Sequence, residues 1–206
     1  MKRLLRCLIG SLALAAGLSA LAAPANPLPS DSVYQLDVPM VDQSGRSLNW
    51  RDQRGRPRVV SMFYSSCPYI CPLIVDSGKA IEHALTPAER ARLGITLVSL
   101  DPKRDTPRAL AALAARRQLD PVRWTLLRPA ERDVRAIAGV LSIRYRALAD
   151  GEFNHTSVLI LLDADGRVLA RTEQIGTRLE PGFVAAVRRA VAASAKPKPR
   201  APASGS

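Results

Sequence analysis

The chain has 206 residues, which suits one domain with extensions at its ends rather than two domains. Hydrophobic residues make up 47% of it but aromatic residues only 4%, so a single core must be built mainly from Ala, Val, Leu and Ile. The formal charge is +12, yet the arginines are scattered with no aromatic interleaving, which argues against a base-stacking nucleic-acid surface and for a solvated one, with attraction to an anionic membrane surface as the alternative.

In chain order, residues 1–23 read as an address. Lys2, Arg3 and Arg6 precede an apolar stretch from Leu8 to about Leu21, and the small residues Ala20, Ala22 and Ala23 precede Pro24. This is the pattern of a secretory signal, with cleavage expected after Ala22 or Ala25; uncut, it would be a short membrane anchor. The expected location is therefore the periplasm. Cys7 falls inside the address, so the exported chain keeps Cys67 and Cys71. Residues 24–32 read as a linker, 33–194 as the folded domain and 195–206, rich in Lys and Pro, as a disordered basic tail.

Tyr34 to Val41 and Ser47 to Trp50 flank Asp42-Gln43-Ser44-Gly45 and read as a hairpin. Arg58 to Tyr64 is a short β-branched run that suits a buried central strand. A cysteine motif, Ser66-Cys67-Pro68-Tyr69-Ile70-Cys71-Pro72, follows at once, and Pro72 fits the first turn of a helix to about Leu85. Ile95 to Leu100 is a second buried strand. Asp105 or Thr106 caps a helix over 109–119, and Trp124 to Leu127 is a third strand. A helix over 131–141 leads to an extended stretch over 143–147. Ser157 to Leu162 and Arg167 to Thr172 flank a turn with Asp165-Gly166, and a helix over 180–193 closes the domain. The pattern predicts an α/β fold: a thioredoxin-like mixed central sheet flanked by helices, with an N-terminal β-hairpin.

The chemistry centres on Cys67 and Cys71. A disulfide across so short a loop removes little entropy from the unfolded chain, so the pair reads as redox-active or metal-binding rather than as a structural staple. Thiolates are favoured near a helix N-terminus, and two sulfurs four residues apart can reach one ion. Soft thiolates select Cu(I), zinc or iron–sulfur clusters, and two cysteines are too few for a structural zinc site. The nitrogen donors on offer are His83, which reads as a solvent-facing helix residue, and His155 in Glu152-Phe153-Asn154-His155-Thr156-Ser157, read as a loop before a strand. Among these His155 is the better third ligand. Asp101 lies at the same sheet edge as the cysteine loop, either as plain loop or as a support for the site.

Several runs together resemble the Sco/SenC family of copper-binding, thioredoxin-like proteins. They are Phe63-Tyr64-Ser65-Ser66-Cys67-Pro68-Tyr69-Ile70-Cys71-Pro72, Ser99-Leu100-Asp101-Pro102-Lys103-Arg104-Asp105-Thr106-Pro107, Asn154-His155-Thr156-Ser157 and Leu162-Asp163-Ala164-Asp165-Gly166. The resemblance implies a metallochaperone rather than a turnover enzyme, holding copper, Cu(I) or Cu(II), through Cys67, Cys71 and His155. It implies a part in assembling the CuA centre of cytochrome c oxidase, with the subunit that carries that centre, or another copper or thiol protein, as partner, and a monomer. Tyr69 and Asn154 stand where the family usually has acidic residues, which removes negative charge beside the site. The alternative is a periplasmic thiol–disulfide oxidoreductase or redox sensor, with Cys67 attacking and Cys71 resolving.

Overall fold

The computed structural model describes residues 27–195. The address, the first part of the linker and the tail from residue 196 lie outside them. A seven-stranded mixed sheet forms the centre. Its strands are β1 (Pro39–Asp42), β2 (Ser47–Asn49), β3 (Arg58–Phe63), β4 (Gly94–Ser99), β5 (Trp124–Pro129), β8 (Leu159–Leu162) and β9 (Val168–Thr172), in the order β2-β1-β5-β4-β3-β8-β9. The strands β6 (Tyr145–Ala147) and β7 (Phe153–His155) make a separate two-stranded sheet. The helices are α1 (Ile70–Ala84), α2 (Pro87–Arg90), α3 (Pro107–Arg116), α4 (Val134–Val140) and α5 (Pro181–Ala193).

Strands β3, β4 and β5 run parallel, and β8, β9, β1 and β2 complete the sheet antiparallel to their neighbours. Every residue of β3, β4 and β8 is buried. Parallel strands covered on both faces read as unbroken apolar runs, which is why the alternation seen in surface strands is missing here. In the β3–β4 register Phe63 lies opposite Ser99. The loops after both strands therefore leave the sheet at one edge, and one of them carries the cysteines.

The predicted first strand is shorter than its sequence suggests. Val33–Gln35 forms a 3-10 turn capped by the Ser32 hydroxyl, and pairing begins only at Pro39. Tyr34 is the reason: its ring stands edge-on to Trp50 at 5.4 Å and its hydroxyl donates to the Gln53 carbonyl, which pulls the segment out of the sheet and into the core. Of the span read as a linker, Ser32 is buried and its hydroxyl donates to the Asp165 carbonyl. Residues 131–133 form a 3-10 turn ahead of α4 rather than its first turn.

Helix α1 buries Cys71, Ile74, Val75, Gly78, Ile81 and Glu82, the three-and-four spacing of a single apolar face. Gly78 lets that face sit directly on Trp124: a Cβ there would lie 2.4 Å from the indole Cη2. Glu82 accepts the indole N–H at 2.9 Å and the Arg123 Nε–H at 2.5 Å, which satisfies its buried carboxylate. Gly78→Ala should force helix and ring apart and cost about 1–3 kcal/mol of stability, read as a lower urea midpoint with an unchanged denaturant slope.

Candidate metal centre

The cysteine loop runs from the end of β3 into α1. Tyr64 closes the strand, Ser65 and Ser66 turn, and the helix begins at Ile70. Cys67 thus stands outside the helix and Cys71 one residue inside it, so the two do not share a helical face as i and i+4. They meet because the loop folds back: both are buried free thiols, at 7% and 4% exposure, and both line one small cavity. A cavity of about 50 Å³ beside them is lined by Phe63, Val75, Leu113 and Arg117.

Their environments differ sharply. Burial works against ionising Cys67, but the backbone at Cys71 and Tyr69, then the Tyr64 hydroxyl and the Cys71 thiol, outweigh it and bring its pKa below the ordinary thiol value. Burial pushes the Cys71 thiol well above it, against the one N–H that Tyr64 donates to its sulfur at 3.4 Å, and the neighbouring Cys67 and Asp105 add to the rise. The helix start therefore helps Cys67 alone, although both cysteines are close to it.

Asp105 holds the loop in place. It is fully buried, its Oδ1 accepts the Ser65 N–H at 3.0 Å and the Ser65 hydroxyl, and its Oδ2 accepts the Ser99 hydroxyl at 2.5 Å. Burial raises its pKa against the pull of those two hydroxyls. The helix cap is Thr106, whose hydroxyl accepts the Ala109 N–H, so Asp105 is free to face inward. Asp101 touches neither cysteine. Its carboxylate pairs with Arg104, which donates to the Gly151 carbonyl at 2.5 Å and reaches Glu152 at 3.4 Å. Asp101 thus supports the turn that precedes His155, through Arg104.

His155 ends β7, paired with Tyr145, rather than lying in a loop. The Asp150-Gly151 pair was the hairpin signal in the sequence. Its Nδ1 lies 3.2 Å from the Thr156 carbonyl, which can only accept, so Nδ1 carries the proton and Nε2 the lone pair. That Nε2 is buried with no hydrogen-bond partner among the described residues, and burial lowers the imidazole pKa, favouring the neutral form. An unpartnered lone pair on a neutral imidazole whose other nitrogen is anchored is the state a metal ligand needs. Tyr64 stands against it, with ring centroids 6.0 Å apart, and its hydroxyl donates to Glu152 at 3.0 Å. Among the described residues, no three His, Cys, Asp or Glu side chains converge closely enough to hold an ion. The donors of Cys67, Cys71 and His155 fit a soft metal in kind, and Tyr64 touches both sides of the set. His83 is exposed near the end of α1, away from all of this.

Two of these residues, Tyr64 and Asp105, were not singled out as part of the site from sequence. Asp105→Ala should strand three donors and cost about 2–3 kcal/mol of unfolding free energy in urea titrations. Alkylation read peptide by peptide should separate the thiols: in Cys71→Ser, Cys67 should gain reactivity at a pH below the ordinary thiol value, and in Cys67→Ser, Cys71 should do so only above it.

The solved structures that this fold is similar to are thioredoxin-like. The copper-bound structure of Bradyrhizobium japonicum ScoI superposes with a TM-score of 0.64 at 21% identity, covering 75% of this chain and 98% of that one. BsSco, described as a member of the Sco family of cytochrome c oxidase assembly proteins with a disulfide switch, superposes with a TM-score of 0.63 at 22% identity, covering 76% and 92%. A SCO2-like protein of Rickettsia felis is 27% identical over 139 residues, which is 65% of this chain and 66% of that protein's own length. The family model described as SCO1/SenC matches residues 30–191, and the chain belongs to that family.

Proposed function

We propose that the reduced chain binds one copper ion through Cys67, Cys71 and His155 and hands it to the CuA-bearing subunit of cytochrome c oxidase. The observation that carries this reading is the His155 imidazole: neutral, anchored through Nδ1–H, with a buried Nε2 lone pair that has no other partner among the described residues. A purely structural histidine in that position would leave an unmet acceptor at a cost of about 1–3 kcal/mol. Two buried thiols on the other side of Tyr64 supply the soft donors that favour Cu(I). Copper is cargo in this reading. The residues of the chain bind it and exclude water, and release proceeds by exchange with the partner's ligands. Copper-bound relatives and a relative described among oxidase assembly proteins support the assignment. Residues 1–23 would export the chain to the periplasm, or keep it at the membrane if uncut.

The second reading is a thiol–disulfide oxidoreductase, and the asymmetry of the two thiols favours it. Cys67, held below the ordinary thiol value, would attack a partner disulfide. Cys71, held above it, would close the intramolecular disulfide and release the reduced partner; two electrons and two protons pass from the dithiol to that partner. The two readings separate on His155. The full chain should bind about one copper per molecule, and His155→Ala should weaken that binding about tenfold or more, while Cys67→Ser abolishes it. Dithiol reductase activity should be little changed in His155→Ala. Copper retention untouched by His155→Ala would sink the three-ligand site and leave the oxidoreductase reading standing.

A further inference from the structure

At the opposite end of β3 from the cysteines, about 20 Å away by strand rise, lies a second polar site. Arg58 opens the strand and is 7% exposed. Its Nε donates to the Gln53 carbonyl at 2.5 Å and its Nη1 to the Thr96 hydroxyl at 3.2 Å. Both acceptors are neutral, and Nη2 makes no hydrogen bond among the described residues. The guanidinium lies over Gly94, where a Cβ would come within 2.6 Å of Nη1, so the backbone beneath it is kept bare. Arg56, two residues earlier, donates to the Val122 carbonyl at 2.6 Å. Neither Arg56 nor Arg58 forms an ion pair with a carboxylate among the described residues. Both line a cavity of about 390 Å³, together with the largely exposed Arg46, whose Nε and Nη2 both pair with Asp42 at 2.9 Å, and with Asp52, whose carboxylate accepts the Asn49 N–H.

A buried cation with only neutral partners is expensive unless something negative completes it. Tying Gln53 to Thr96 is a duty that a neutral side chain could perform with less desolvation. Burial and the charge of Arg56 already lower Arg58 to a pKa of about 10, so this arrangement strains against its own charge. We propose that the cavity lined by Arg46, Arg56 and Arg58 binds a phosphate-class oxyanion. Guanidinium forks match phosphate oxygens, and the Arg56 and Arg58 forks, with no carboxylate partner among the described residues, line one cavity beside the Asp42-paired Arg46. The cavity is much larger than one phosphate and leaves room for the rest of a phosphate ester. The chain also enters the domain at this pole, since the Tyr34 hydroxyl and Arg58 Nε share the Gln53 carbonyl. A free phosphate and an anionic lipid headgroup are therefore both sources of the same chemistry.

The test uses the full chain. Its thermal midpoint is followed against inorganic phosphate, with sodium chloride at matched ionic strength as control, and its binding to phosphatidylglycerol vesicles is compared with binding to phosphatidylcholine vesicles. Phosphate should raise the midpoint saturably where chloride does not, and Arg56→Gln should weaken phosphate binding about tenfold or more. Without phosphate the thermal midpoint of Arg56→Gln should match that of the parent chain, which shows that the variant is folded and keeps the outcome independent of the function proposed above. Vesicle binding that phosphate displaces and Arg56→Gln loses assigns the site to a lipid headgroup; phosphate binding without vesicle binding assigns it to a free anion. Phosphate indistinguishable from chloride, or full phosphate affinity in both Arg56→Gln and Arg46→Gln, would overturn the proposal.

Discussion

A single buried carboxylate governs the sulfur site. Parallel pairing of β3 with β4 brings Ser65 and Ser99 to one edge of the sheet, and Asp105 closes the gap by accepting from both. Without it the loop after β3 would have to satisfy its turn from water. With it the loop folds inward and both cysteines are buried. The same carboxylate adds negative potential beside Cys71, one of the influences that keep that thiol protonated, while Cys67 faces the donors at the start of α1. The unequal pair follows from where the loop is pinned.

His155 belongs to a different piece of the molecule. The sulfurs rest on the seven-stranded sheet, whereas the imidazole sits on the two-stranded β6–β7 hairpin, an element of marginal stability by itself. Two ties hold that hairpin down: Arg104 to Gly151 and Glu152, and the Tyr64 hydroxyl to Glu152. Phe153 packs its ring against Tyr64 at 5.3 Å and adds an apolar contact. The donor set thus combines two atoms on a rigid frame with one on a docked flap, and Tyr64 is the surface between them.

The central strands were legible because apolar runs of six residues admit few other readings, and helices α1, α3 and α5 because proline marks their first turns, whereas the short α2 was not read from the sequence. The hairpin carrying His155 was missed although Asp150-Gly151 signals it, since its strands are only three residues long and expose part of each face. The cysteines and His155 could be chosen from residue chemistry. Asp105 could not, because an aspartate ahead of a proline-started helix reads equally well as a cap; only the sheet register turns it inward. Tyr64 was hidden for a similar reason: it looked like the last residue of a buried strand, and its hydroxyl matters only because a remote turn comes to meet it. Tyr69, between the two cysteines, is 83% exposed, so its effect falls on the outer surface of the loop rather than on the buried sulfurs.

The start of α1 has a further consequence. Tyr69 occupies the capping position but gives α1 no side-chain cap, and Pro72 in the first turn has no N–H to be capped. The Cys71 amide, one of those a capping side chain would receive, is instead among the influences that hold the Cys67 pKa down. A serine or aspartate at position 69 would draw that amide to itself, so a better-capped helix would carry a less acidic thiol.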